Sequence, residues 1–226
     1  MRPRAVDDGF ELTSEALIDM GGLSAKGREL GSDALDALLQ AGFALRGSAL
    51  GIVLGGGARR FSSQGGWQSD SDLLQWPHKE IATLRAEFTA SITRLMQLAG
   101  GDDPNRRVLC EFSAVSWANV NRDGCYNVIH NHPGNHWSGV YYVSLGEPDP
   151  TVQWNGAIEF YDPRGGATAM PVPGFNFGFS NAITPEPGTM IIFPSWLMHS
   201  VHPYKGPGVR ISIALNATIT NLQIAG

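Results

Sequence analysis

Three histidines, carried by two short segments, are the residues of this sequence best suited to chemistry. His130 and His132 form an H-x-H pair, and His199 ends the run F-P-S-W-L-M-H later in the chain. Side chains two residues apart on a β-strand point to the same face, so the pair could present two imidazoles together. A third imidazole from a neighbouring strand would complete one face of a metal site. The pattern therefore predicts a metal centre with these three histidines as ligands.

The ligand types do not name the metal, because imidazole binds iron, zinc, copper and nickel. The usual non-haem Fe(II) site has two histidines and one carboxylate, and His132 stands where that carboxylate would be expected. The other histidines have plainer explanations. His78 stands at a helix start and His202 on the opposite strand face, whereas His136, in a turn, is either a fourth ligand or a substrate contact.

An arginine on a later strand supplies a second chemical feature. Arg210 lies in a hydrophobic segment, and Ser212 shares its strand face. A buried guanidinium can make two parallel charge-assisted hydrogen bonds to one carboxylate. The phenol of Tyr142 could donate to the same group. These residues predict a carboxylate clamp close to the metal centre, with a structural salt bridge of Arg210 as the alternative.

Strand-forming segments must position these side chains, and they dominate the chain after residue 106. Turns rich in glycine, proline, asparagine and aspartate separate them, and no helix-length periodic segment intervenes. The sequence thus predicts a mainly β fold, an antiparallel jelly roll of the cupin-like kind. The predicted strands are 108–112, 114–120, 126–130, 139–143, 156–160, 190–193 and 209–215.

Helical patterns dominate the part of the chain before residue 107. Ser32 could cap a short helix over 33–39, and a longer helix is expected after Pro77, where apolar residues recur every three or four positions until Gly100. We therefore expect an N-terminal helical extension, 1–106, packed on a β core, 107–226, with both parts forming a single structural domain.

Composition excludes several classes of function. The chain has 226 residues, a net charge of −5 and 16% charged residues, so neither nucleic acid nor an anionic membrane is an expected partner. The absence of a signal-peptide pattern and of a span-length apolar run predicts a cytoplasmic protein. Cys110 and Cys125 are interpreted as reduced thiols, with a disulfide between them left open. A homodimer formed through an exposed sheet edge is also left open.

Several stretches resemble the Fe(II)/2-oxoglutarate-dependent oxygenases, and more narrowly a bacterial and phage group related to the prolyl hydroxylases. The resemblance covers about residues 107–217. Each stretch alone is a weak signal, whereas the set is specific. Besides the H-x-H pair, the matching stretches are S-W-A-N at 116–119, S-G-V-Y-Y-V at 138–143, F-Y-D-P-R at 160–164, F-P-S-W-L-M-H at 193–199 and R-I-S-I-A-L-N at 210–216.

This resemblance implies a double-stranded β-helix that holds Fe(II) and uses 2-oxoglutarate as co-substrate. His130 and His199 match the two histidine ligands of the family, and Arg210 with Ser212 matches the clamp on the C5 carboxylate, assisted by Tyr142. The implied reaction couples decarboxylation of 2-oxoglutarate to hydroxylation of a small-molecule or peptide substrate. The side chains expected to line a substrate pocket are Asn119, His136, Arg164 and Trp196.

Two other functions fit parts of the pattern. The spacings from Gly124 to His136 and from Gly188 to His199 resemble the two cupin motifs, and three-histidine cupin dioxygenases use iron without 2-oxoglutarate. The same histidines could instead form a closed, non-catalytic metal site in a binding protein. A carboxylate clamp at Arg210 would have no use in that last case, so this residue discriminates between them.

Overall fold

The computed structural model describes residues 62–99, 107–163 and 180–225. These ranges contain ten strands and one α-helix, and the predicted helix over 33–39 lies outside them, as does Arg164. The elements in chain order are β1 (Ser63–Gln64), β2 (Trp67–Gln68), α1 (Lys79–Ala99), β3 (Arg107–Asn121), β4 (Tyr126–His130), β5 (Trp137–Leu145), β6 (Ile158–Tyr161), β7 (Ser180–Ile183), β8 (Met190–Pro194), β9 (His199–Val201) and β10 (Arg210–Ala225), with a short 3₁₀ turn, Leu73–Gln75, before α1.

The strands form two antiparallel five-stranded sheets. The major sheet has the order β2-β3-β10-β5-β8, and the minor sheet has the order β1-β4-β9-β6-β7. Successive strands pass repeatedly from one sheet to the other, as a jelly roll requires. The predicted mainly β jelly roll is therefore confirmed.

Strand boundaries differ from the sequence prediction at the two longest strands. β3 runs unbroken through Ser113, because this residue pairs with Thr218 of an equally extended β10. Two predicted strands, 108–112 and 114–120, are thus one. The sequence prediction missed the short strands β1, β2, β7 and β9, which contain too few residues to show a period of two.

Helix α1 covers the outer face of the major sheet. The apolar stripe expected from the sequence is buried at Ile81, Leu84, Phe88 and Ile92. These side chains pack with alternate residues of β5 and β10, and the ring of Phe88 meets Phe112 edge to face with centroids 6.1 Å apart. The helix therefore supports the sheet from the side opposite the candidate site.

The two faces of β10 have different roles. Ile211, Ile213 and Leu215 point toward α1 and belong to the buried cluster beneath the helix. The alternating residues Arg210, Ser212 and Asn216 point the other way and are also buried, between the two sheets. A second apolar cluster occupies this inter-sheet space, formed by Tyr142, Ile158, Phe160, Ile191, Phe193 and Leu197. The polar side chains of β10 therefore lie against this apolar cluster.

Two further sequence expectations concern the cysteines and membranes. Cys110 and Cys125 are both free thiols, so the disulfide left open by the sequence is not formed. In the ranges that the structure describes, no helix combines the length and the apolar composition needed to span a bilayer.

Truncation of Phe88 tests whether α1 and the sheets unfold together. Because Phe88 is 1% exposed, Phe88→Ala is expected to lower the free energy of unfolding by about 3–5 kcal/mol, measured by urea denaturation. Thr89→Ala, at the exposed neighbouring position, is the control and should change it by less than about 0.5 kcal/mol. A separate early transition for the helix would contradict the predicted single structural domain.

Candidate metal centre

His130 and His199 are direct cross-strand neighbours. His130 is the last residue of β4 and His199 the first of β9, and the two residues pair in the antiparallel register of the minor sheet. Their ring centroids are 4.3 Å apart. The pairing brings together two imidazoles that are far apart in the sequence.

His132 is brought next to this pair by a backbone hydrogen bond that the sequence did not predict. It lies two residues beyond the end of β4, so strand alternation does not set its direction. Its backbone N–H donates to the carbonyl of Ser195, in the turn between β8 and β9, at 2.9 Å. The same turn leads into His199, and the Nε2 atoms of His132 and His199 are 3.3 Å apart. One turn therefore positions two of the three imidazoles.

Hydrogen bonds at the far side of two rings define their tautomers. Nδ1 of His130 lies 2.7 Å from the carbonyl oxygen of Val128, and Nδ1 of His199 lies 3.0 Å from that of Leu197. A carbonyl oxygen only accepts, so each Nδ1 carries a proton and each Nε2 keeps a free lone pair. Such bonds are the usual means of orienting metal-binding histidines.

Burial keeps the three imidazoles neutral. It is the main cause that lowers the pKa of His132 to about 4 and that of His199 to about 3, and the nearby charge of His130 lowers both further. Burial also lowers the pKa of His130. Neutral imidazole is the form that binds a metal, so all three rings have the charge state that metal binding requires at neutral pH.

The spacing of the three rings fits a metal ion. One ligand atom from each histidine lies within 4.8 Å of the others. Metal–nitrogen bonds of about 2.1 Å hold neighbouring ligand nitrogens about 3.0–3.4 Å apart, and the observed Nε2 separation of His132 and His199 falls in that range. Two converging lone pairs at this distance repel unless a cation or a proton lies between them. The triad therefore fits a metal with nitrogen ligands, iron among them.

Arg210 and Tyr142 lie together in the inter-sheet space. Both are buried, and the guanidinium carbon lies 5.2 Å from the centre of the Tyr142 ring. Ser212 is the cross-strand partner of Tyr142. Gly156 packs so closely on Arg210 that a Cβ there would lie 3.3 Å from Cδ and Nε. The guanidinium is thus confined on one side by backbone.

Two buried polar atoms of this pair have no hydrogen-bond partner in the described part of the chain. Among the residues that the structure describes, neither Nε of Arg210 nor the hydroxyl of Tyr142 makes a hydrogen bond of good geometry, although both are buried and the two side chains interact electrostatically. Burial raises the pKa of Tyr142 to about 12, against the effect of the Arg210 charge, so the phenol stays protonated and can donate. An unpaired buried cation costs several kcal/mol. These unsatisfied donors fit a bound carboxylate.

The predicted pocket residues lie in different parts of the structure. Asn119 is buried opposite Ser212, and its side-chain oxygen accepts a hydrogen bond from Nε2 of Gln68 at 2.7 Å. Trp196 is 51% exposed in the turn between β8 and β9. Asn119 thus lies beside the Arg210 region, whereas Trp196 lies on the surface near the triad.

His136 is not a fourth ligand in this geometry. The backbone N–H of Ile219 donates to its Nδ1 at 2.9 Å, so Nε2 carries the proton and neither nitrogen has a lone pair to spare. His202 also lies outside the triad, with Nε2 2.8 Å from a carboxylate oxygen of Glu159. His136 keeps only its predicted role as a substrate contact.

Sequence reasoning missed Asn216 and Gln68 as residues of the site. The side-chain amide of Asn216 approaches Nδ1 of His132, with its Nδ2 at 3.4 Å. Its position, four residues after Ser212 on the same strand face, was a signal that period-two alternation could have supplied. Gln68 could not be found in this way, because β2 contains only two residues.

Comparison with known families finds one match. Residues 115–216, somewhat less than half of the chain, match the family described as "Putative 2OG-Fe(II) oxygenase". The resemblance drawn from the sequence is thereby confirmed. The description of this family names Fe(II) and 2OG, the two groups that the resemblance implied.

Solved structures add support for the fold. AviO1 from Streptomyces viridochromogenes Tue57 matches with a TM-score of 0.51 at 12% identity, over 88% of this chain and 86% of that one. A Pseudomonas putida prolyl-4-hydroxylase matches with a TM-score of 0.46 at 14% identity, over 80% and 85%. The AviO1 match supports the jelly roll and says nothing about activity.

A third structure is similar over a shorter range. An oxidoreductase of the 2OG-Fe(II) oxygenase family from Burkholderia pseudomallei matches with a TM-score of 0.36 at 18% identity, over 48% of this chain and 46% of that one. The chain thus spans less than half the length of the Burkholderia protein. No curated protein sequence matches the chain significantly.

Removal of one imidazole tests the metal centre. His199→Ala is expected to weaken Ni(II) or Co(II) binding by more than about 100-fold, since loss of a mere supporting residue already costs about 10- to 100-fold. Isothermal titration of the metal-free protein measures the affinity. His202→Ala removes a histidine three residues away and should leave metal binding unchanged. Equal affinities for the two variants would rule out the triad as the metal site.

Proposed function

We propose that the protein is a non-haem Fe(II), 2-oxoglutarate-dependent hydroxylase. The observation that carries the proposal is a buried guanidinium whose Nε has no hydrogen-bond partner in the described ranges, held between the same two sheets as a neutral three-histidine cluster. A metal site alone would not explain the unsatisfied donors, and a carboxylate clamp alone would not explain the converging imidazoles. A 2-oxo acid that reaches both explains the two features together.

The residues divide into two binding functions. His130, His132 and His199 would hold iron through their Nε2 atoms, and Arg210, Ser212 and Tyr142 would hold the C5 carboxylate of 2-oxoglutarate. When bound, iron supplies the oxygen activation that couples decarboxylation of 2-oxoglutarate to oxidation of the substrate. The protein fixes the distance between the metal and the clamp, because the ligands and Arg210 belong to opposing sheets of one barrel.

Apolar side chains keep the centre dry on one side. The ring of Phe193 lies 4.7 Å from that of His199, and the ring of Phe160 lies 6.0 Å from it. Both belong to the inter-sheet cluster that also contains Tyr142. Exclusion of water strengthens the charge-assisted bonds of the clamp and limits side reactions of the reactive species.

Residues around the triad are the proposed substrate-binding region. Trp117 stacks at a tilt near His132, with centroids 6.1 Å apart. We expect Asn119, His136, Arg164 and Trp196 to take part in binding a small-molecule or peptide substrate. The cytoplasmic location and the homodimer stay predictions from sequence.

A three-histidine dioxygenase that does not use 2-oxoglutarate is the second candidate. It is favoured by one observation, the imidazole of His132 in place of a carboxylate ligand. It offers no function for Arg210. A closed, non-catalytic metal site is disfavoured for the same reason.

Product analysis separates these candidates. Aerobic incubation of the Fe(II) protein with 2-oxoglutarate should consume O2 and release succinate, slowly without substrate and faster with one. The dioxygenase alternative gives O2 uptake with a suitable substrate but no succinate. A non-catalytic metal protein gives neither, and that result would contradict the proposal provided that iron is bound.

Substitution of the clamp tests its role apart from the metal. Arg210→Ala is expected to weaken 2-oxoglutarate binding to the Ni(II) protein by about 30-fold or more, because losing one partner of a buried charged pair costs about 2–5 kcal/mol. Calorimetric titration of 2-oxoglutarate measures this. Arg122→Ala, at an exposed arginine of the β3–β4 turn, is the control. Metal affinity should be the same in both variants, and unchanged 2-oxoglutarate affinity in Arg210→Ala would contradict the proposed clamp.

A further inference from the structure

His132 differs from its two partners in what holds its second ring nitrogen. His130 and His199 each use Nδ1 on a backbone carbonyl two residues earlier. Nδ1 of His132 instead faces a side chain, and the atom placed nearest to it is the amide nitrogen of Asn216, Nδ2, at 3.4 Å. A carbonyl fixes the tautomer of a histidine without ambiguity, whereas an amide side chain can present either a donor or an acceptor.

The orientation of this amide decides whether His132 can bind a metal. If the NH₂ group of Asn216 faces the ring, Nδ1 must accept and the proton of the imidazole sits on Nε2. A protonated Nε2 has no lone pair for a metal. If the side-chain oxygen faces the ring, Nδ1–H donates to it and Nε2 is free, as in the other two histidines.

The surroundings of Asn216 satisfy the second orientation. The hydroxyl of Ser138 lies 2.8 Å from Oδ1 of Asn216, to which it donates with the amide as placed, and 2.8 Å from the hydroxyl of Ser195. If the amide is flipped so that Oδ1 faces His132 and Nδ2 faces Ser138, the NH₂ group donates to Ser138, and the Ser138 hydroxyl donates to Ser195. The oxygen and nitrogen of an amide have nearly the same shape, so the turn changes no packing.

The hydrogen-bonded series Asn216–Ser138–Ser195 is buried, and both of its end residues contact His132. Asn216, Ser138 and Ser195 are 7%, 1% and 0% exposed. The backbone carbonyl of Ser195 also accepts the N–H of His132 at 2.9 Å. Water is thus largely kept from competing for Nδ1, and the same serine positions both the backbone and, through Asn216, the ring of His132.

We propose that Asn216 is a positioning residue for the metal centre: its side-chain oxygen accepts the Nδ1–H of His132 and holds this ring in the metal-binding tautomer. The inference rests on the proposed metal-binding role of the triad. Asn216 does this without adding negative charge, so a centre with three neutral ligands is supported by a neutral residue. Ser138 and Ser195 keep the amide in the required orientation.

Substitution of Asn216 by aspartate and by alanine tests the direction of this hydrogen bond. An ionised aspartate accepts only, so Asn216→Asp should bind Co(II) as tightly as the parent protein or more tightly. Asn216→Ala should bind it about 10- to 100-fold more weakly, as is usual for loss of a residue that orients a ligand. Calorimetric titration of the full-length metal-free protein measures both. If aspartate weakens binding as much as alanine does, Asn216 is not the acceptor and the inference is overturned.

The visible spectrum of the Co(II) protein supplies a readout that general destabilisation would not produce. With saturating Co(II), Asn216→Asp should keep the d–d bands of the parent protein, whereas Asn216→Ala should shift them as His132 moves or leaves the metal. Unshifted bands in Asn216→Ala would overturn the inference. Thr218→Ala, two residues on along the same face, removes contacts to Gly134 and Asn135 and is the matched control, with no expected change.

Two further results keep failure of this inference distinct from other failures. If the parent protein binds no Co(II), the proposed metal centre itself is wrong, and the inference falls with it. If the parent binds Co(II) and Asn216→Ala binds it equally well, only the role of Asn216 is wrong.

Should Asn216→Ala fail to fold, Ser138→Ala carries the test, because it removes the partner that orients the amide. It should weaken Co(II) binding several-fold, and an unchanged affinity would overturn the inference.

Discussion

Convergence of three imidazoles in a confined space is the constraint on which the rest of the site depends. Each ring must be neutral, and each must carry its proton on the nitrogen that faces away from the centre. Burial meets the first requirement by lowering the pKa of all three histidines. Carbonyl oxygens of Val128 and Leu197 meet the second for two rings, and the third depends on a side-chain amide.

Charge balance links this centre to the Arg210 clamp. The three ligands contribute no negative charge, and the clamp contributes a buried positive one. A metal held here therefore gives a strongly cationic interior until an anion binds. A dicarboxylate such as 2-oxoglutarate supplies negative charge at both places at once. A histidine at position 132, in place of the usual carboxylate ligand, is therefore compatible with an anionic co-substrate and makes its binding electrostatically more favourable.

Much of this architecture could be predicted from the sequence, because it depends on periodic patterns. Alternation on β10 identified Arg210 and Ser212 as neighbours, and the apolar repeat of α1 identified the helix. The position of His132 could not be derived in the same way, because it depends on a backbone hydrogen bond to the carbonyl of Ser195 in a distant turn. Strand alternation could have placed Asn216 on the same face as Ser212, but only the fold shows that its side chain contacts His132.

The central claim is that one bound 2-oxo acid reaches both the triad and the clamp. The most direct measurement is an anaerobic titration of the Fe(II) protein with 2-oxoglutarate, followed by visible absorption. A metal-to-ligand charge-transfer band should grow to saturation at one equivalent, and glutarate, which lacks the keto oxygen, should produce none. If iron is bound at one per chain and 2-oxoglutarate produces no such band, the account is contradicted.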